Sequence, residues 1–184
     1  MIFMSQSGLL DAARPSDHGD WDKWYLEHLA IMSSVKGVDS AQRFKCIGGE
    51  QSPSLAMYTL ASASVFDDPY YLSVRGMGEW LALIDRRWYR RNLFDGLAAA
   101  PQVRDDQRLL VADRAQPGAD IAGIGCDWLA AVALDKSTPF RGIAVIDAQI
   151  AGRLDPAAGG FALYRPVTRR FTPQPAPHPT RNAG

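Results

Sequence analysis

The chain has 184 residues, 47% of them hydrophobic, which suits one ordinary globular domain or a small domain with an appendage. Lysine plus arginine and aspartate plus glutamate number 20 each, so no global positive field exists to hold a polyanion, and nucleic acid is excluded as the main partner. The only cysteines, Cys46 and Cys126, have no metal-ligand spacing and form no disulfide framework.

Residues 2–6 read as a short first strand, followed by a polar loop that contains His18 and Gly19. Asp20 is the expected N-cap of a helix. Trp21, Trp24, Tyr25, His28, Leu29, Met32 and Val35 then recur at three- and four-residue steps, as on one broad apolar helix face, and Gly37 ends the helix. Residues 39–47 alternate, with Gln42, Phe44 and Cys46 on one side and Arg43 and Lys45 on the other. A Gly-Gly-Glu-Gln-Ser-Pro turn leads into a second strand at 55–60, which makes a hairpin.

Asp68-Pro69 opens the next helical region, and Gly76 and Gly78 interrupt it. Residues 79–92 read as helix, and 108–114 as a fourth strand. Residues 1–116 therefore spell strand, helix, strand, strand, helix, strand, the ferredoxin-like α+β order. One face of such a sheet must be covered. Residues 117–172 supply an apolar strand at 128–134, a helix from Thr138-Pro139 to about Leu154 and a last strand at 161–164. This C-terminal β-α-β unit either extends the first sheet or is a degenerate second module. Residues 173–184 form a proline-rich tail, disordered or laid on a neighbour as an arm.

The run WYLEHLAIMSSVKGVDSAQRF resembles the signature of EthD-like proteins of the dimeric α+β barrel superfamily. Tyr70-Tyr71-Leu72, Gly78-Glu79-Trp80 and Arg91-Asn92 are similar to a second block of that family, so the likeness spans residues 18–95. It departs at Ala30, where the family usually has a proline that bends the helix toward its pocket. The resemblance implies a barrel of two face-to-face sheets from a homodimer, with a cavity between each sheet and its helices. Isomerases, cyclases, lyases, cofactorless monooxygenases and haem proteins share that fold, so fold alone assigns no activity.

His28 leads the candidate residues, because an imidazole facing an apolar cavity can move a proton near neutral pH; its alternative is a core histidine bonded to backbone. Tyr58 and Asn92 are expected to polarise a carbonyl. Trp21, Trp24, Tyr25, Trp80, Arg91 and His18 are the expected substrate-binding set. Arg86, Arg87, Arg90 and Arg91 make a basic stripe that either clamps a carboxylate or is a solvated helix face. No metal cluster and no phosphate loop is legible. The leading expectation is an enzyme using general acid–base chemistry (isomerase, cyclase or lyase type) on an apolar or aromatic molecule, in a catabolic or secondary-metabolic setting and without a cofactor. The alternatives are an oxygenase, cofactorless or with a haem on His28, and a non-catalytic ligand-binding accessory protein. No signal peptide or membrane span is read, so the expected place is the cytoplasm.

Overall fold

A computed structural model describes residues 1–173. The chain forms, in order, β1 (Ile2–Ser7), α1 (Pro15–Ser33), β2 (Val38–Gly48), β3 (Ser54–Leu60), α2 (Pro69–Val74), β4 (Arg90–Asp95), β5 (Gln107–Arg114), β6 (Asp120–Ile121), β7 (Ile124–Gly125), β8 (Asp127–Leu134), β9 (Phe140–Asp147), α3 (Ala148–Ala151), α4 (Pro156–Gly159) and β10 (Ala162–Pro166). Short 3-10 turns occupy Ala63–Asp67 and Gly78–Leu83.

Eight of the strands close into one antiparallel barrel in the order β1-β3-β2-β10-β5-β9-β8-β4. This corrects the expected fold class. The chain is not an open ferredoxin-like α+β sheet that waits for a second copy, and the EthD-like resemblance that carried that fold is corrected with it. Closure within one chain also removes the ground on which a homodimer was expected. The seams are β2 with β10 and β4 with β8.

Two misread segments explain the difference. Residues 79–92 were expected to be helical, but Asp85 stops any helix there. Its carboxylate accepts the backbone N–H of Arg87 at 2.9 Å, its own N–H donates to the Gly8 carbonyl at 2.8 Å, and the chain turns into β4. Residues 140–147 were expected to be helical behind Thr138-Pro139 but form β9, paired along its whole length with β5. Trp128 lies so close over Gly142 that a Cβ there would meet its ring at 3.0 Å.

Alternation along each strand sends side chains to two separate cores. Ile2, Met4, Phe44, Leu55, Met57, Phe94, Leu109 and Tyr164 fill the barrel. An eight-stranded barrel is just wide enough for side chains to fill it, so this interior is solid packing for most of its length. Phe3, Ala56, Tyr58, Leu60 and Leu93 point outward and are covered by α1, with Trp21, Tyr25, Leu29 and Met32 of that helix against them. A third cluster on the far outer wall, including Leu110, Ala144 and Phe161, lies beneath α3 and the β6–β7 turn. No described helix is long and apolar enough to cross a membrane. Residues 174–184, most of the proline-rich tail, lie outside the described residues.

Candidate functional site

Helix α1 begins earlier than the sequence suggests. Pro15 takes the first turn and the Asp17 carboxylate accepts the Arg14 backbone N–H at 2.8 Å, so the helix starts ahead of Asp20. This places His18 in the first turn, exposed and away from His28. Tyr25, His28 and Met32 fall on the face turned to the sheet.

Between that face and the barrel wall lies a small cavity of about 30 Å³. Ser5 of β1, Tyr58 of β3, Tyr71 of α2 and Arg91 of β4 line it together with Tyr25 and His28, and the Arg75–Met77 segment covers it. Its volume matches the room one water molecule takes in the liquid. In this closed form the cavity admits neither a haem nor a substrate ring.

His28 is half-buried and stacks on Trp24, the ring centroids 4.7 Å apart and the planes within 10°. Burial pushes its pKa down from the ordinary histidine value, which favours the neutral imidazole. Tyr25 and Tyr58 are buried, and burial pushes both phenols up. Tyr71 is also raised by burial, with the Arg91 charge pulling the other way. The Arg91 guanidinium donates to the Tyr71 hydroxyl at 2.5 Å and lies over the Phe3 ring at 5.6 Å. The cavity thus presents an imidazole, phenols and the two guanidiniums of Arg75 and Arg91. Such a set can accept a proton and hold an oxyanion.

Of the residues expected from sequence, the structure brings together His28, Tyr25, Tyr58 and Arg91. Trp24 supports the imidazole from outside the cavity. Trp21 packs edge-on to Tyr25 and meets Arg43 instead. Trp80 is half-buried in the same apolar layer. Asn92 is one residue from Arg91 on a strand and so faces the barrel interior, where its Nδ2 donates to the Asp135 carbonyl at 2.6 Å. The expected basic stripe is divided: Arg87 pairs with Asp85 and Asp11, and Arg90 lies 3.7 Å from Asp135.

Sequence reasoning missed Ser5, Tyr71 and Tyr89 as lining residues. Alternation along β1, applied face by face, puts Phe3 and Ser5 on one side and was available as a signal. Tyr71 gave no such signal, because its position depends on how α2 docks. No family model matches the chain, and no curated protein or solved structure shows significant similarity to it.

Proposed function

We propose that the protein is a small-molecule enzyme whose α1–sheet cavity performs general acid–base chemistry on an apolar or aromatic compound carrying a carbonyl. One observation carries this reading: an imidazole and a guanidinium–phenol pair line the same cavity. His28 takes a proton from the carbon beside the carbonyl. Arg91, with the Tyr58 or Tyr71 hydroxyl, holds the oxygen on which charge develops, and His28 returns the proton elsewhere on the substrate. Isomerisation and elimination both need only these parts. Closed, the cavity takes about one water, so a ring-sized substrate requires the Arg75–Met77 cover to move off it; Gly76, at φ +104° with nothing packed over it, is the residue of that segment with the most backbone freedom. A reducing cytosol suits the protein, because Cys46 and Cys126 are free thiols.

The test uses acetophenone in D2O, with deuterium entering its methyl group followed by NMR. Exchange above the buffer rate is expected, and His28→Gln is expected to slow it by about 10²-fold or more. Exchange at the buffer rate with the native protein, or equal rates in native protein and variant, would sink the reading.

A further inference from the structure

The open end of the barrel carries a second, separate set of polar groups. It is formed where β1 and β5 end, where β4 and β9 begin, and by the β2–β3 and β8–β9 loops. The recess there measures about 280 Å³. Its floor is Arg141, whose side chain is 1% exposed. The Arg141 Nε and Nη2 donate to the two Asp113 oxygens at 2.7 and 2.9 Å. Nη1 meets only the Met4 sulfur, at 3.4 Å, which is a weak acceptor. A guanidinium has five N–H groups, and a buried donor without an oxygen partner is costly. Nearby on the interior face, the Asn92 Oδ1 is buried with no partner among the described residues.

The rest of the recess is already organised. Asp113 also accepts from the Thr138 hydroxyl at 3.2 Å and the Gln51 amide at 3.3 Å, and Gln51 accepts from Gln6 at 3.2 Å. Trp88 adds an aromatic wall. Its guanidiniums are all opposed, Arg141 by Asp113, Arg87 by Asp85 and Asp11, and Arg90 by Asp135, so no positive charge is left over. Glu50 remains at the rim and repels anions.

We infer that this barrel mouth binds a neutral, hydroxyl-rich small molecule the size of a monosaccharide or cyclic polyol. Fixed donors and acceptors without surplus positive charge suit hydroxyl groups, each of which both donates and accepts. A hydroxyl oxygen takes the Nη1 proton that Met4 leaves over, and the recess, near the lower end of the usual ligand-pocket range, suits a single ring.

The experiment titrates isotope-labelled full-length protein separately with glucose, galactose, myo-inositol and succinate. The side-chain amide signals of Gln6 and Gln51 and the Trp88 indole report binding. At least one of the three polyols is expected to shift these signals saturably with a Kd of about 1 mM, and succinate is expected to leave them unmoved. Gln51→Ala and Thr138→Val, both at partly exposed positions and checked for native circular dichroism, are expected to weaken binding about tenfold. No saturable shift with any of the polyols, a stronger response to succinate, or unchanged affinity in both variants would overturn the inference. None of these outcomes bears on His28, which lies on the other side of the barrel wall.

Discussion

His28 is where residue-scale chemistry and stability meet. Its ring lies flat on Trp24 and edge-on to Tyr25, 6.2 Å between centroids for the latter, so its orientation is set by packing. The other ionisable groups lining the cavity are the phenols of Tyr25, Tyr58, Tyr71 and Tyr89 and the guanidiniums of Arg75 and Arg91. His28 is the one imidazole among them, the side chain type whose ordinary titration lies nearest neutral pH. Burial lowers its pKa from 6.5, so below that value the unfolded chain binds a proton that the folded chain refuses. The stability this residue contributes is complete above the unfolded pKa and is lost as pH falls through the folded one. The urea midpoint of the native protein is therefore expected to drop more than that of His28→Gln between about pH 7 and about pH 5. Parallel curves would show an imidazole open to water, and the acid–base reading would lose its base.

At the scale of elements, α1 is held to the barrel by an unusual side chain. Arg43 of β2 is 2% exposed beneath the helix. Its guanidinium lies 4.1 Å from the Tyr25 ring centroid and 4.9 Å from that of Trp21, and its Nη2 is 2.9 Å from Asp22. Its Nε donates to Ser54 at 3.1 Å. Lys45 reaches the same Asp22 carboxylate from the strand edge. Arg43→Ala leaves a void under two aromatic rings and is expected to cost about 3 kcal/mol in chemical unfolding. Arg43→Met fills the void without burying a charge and is expected to cost markedly less. Equal and negligible losses in both would mean that α1 docks through its apolar face alone.

The same element shows what a sequence can and cannot reveal. The period-two pattern of 39–47 placed Arg43 opposite Phe44, and the structure keeps that division. It did not show that Arg43 lies beneath a helix, because alternation says which face a residue takes and not what covers it. The strands at 2–6, 55–60, 108–114 and 128–134 were legible as short apolar runs of strand length. β9 was not legible. Its residues are buried on both faces, Ile143 inside and Ala144 outside, so the run FRGIAVID is apolar without alternation and resembles a buried helix. β4 was hidden by Arg-Arg-Trp-Tyr-Arg-Arg, whose three- and four-residue spacings mimic an amphipathic helix. The part of the candidate cavity made by Tyr25, His28 and Met32 was visible in the face of α1. The rest depends on which strand lies beside which.

At the scale of the whole molecule, the barrel has two arcs with one internal order. β4-β1-β3-β2 lie in the sequence fourth, first, third, second, and β10-β5-β9-β8 repeat that order among the later strands. The first arc carries the long helix α1, whereas the second has only the β6–β7 turn and the short α3 and α4 on its outer wall. The second arc therefore covers less of its own sheet, and its stability depends on the seams with the first. At the β2–β10 seam Gly49 has φ +92°, and a Cβ would lie 2.2 Å from the Phe161 carbonyl oxygen. Gly123, at φ +76° in the β6–β7 turn, shares the left-handed backbone but faces open space. Both alanine substitutions strain the backbone, and only Gly49→Ala also forces the seam apart. Gly123→Ala is expected to cost about 1 kcal/mol and Gly49→Ala about 3 kcal/mol, measured by calorimetry. Because the arcs share one interior, the native protein is expected to melt in a single transition whose calorimetric and van't Hoff enthalpies agree. Two resolved transitions, or equal costs for the two glycines, would show that the arcs fold as independent units and that the seam is only a contact between them.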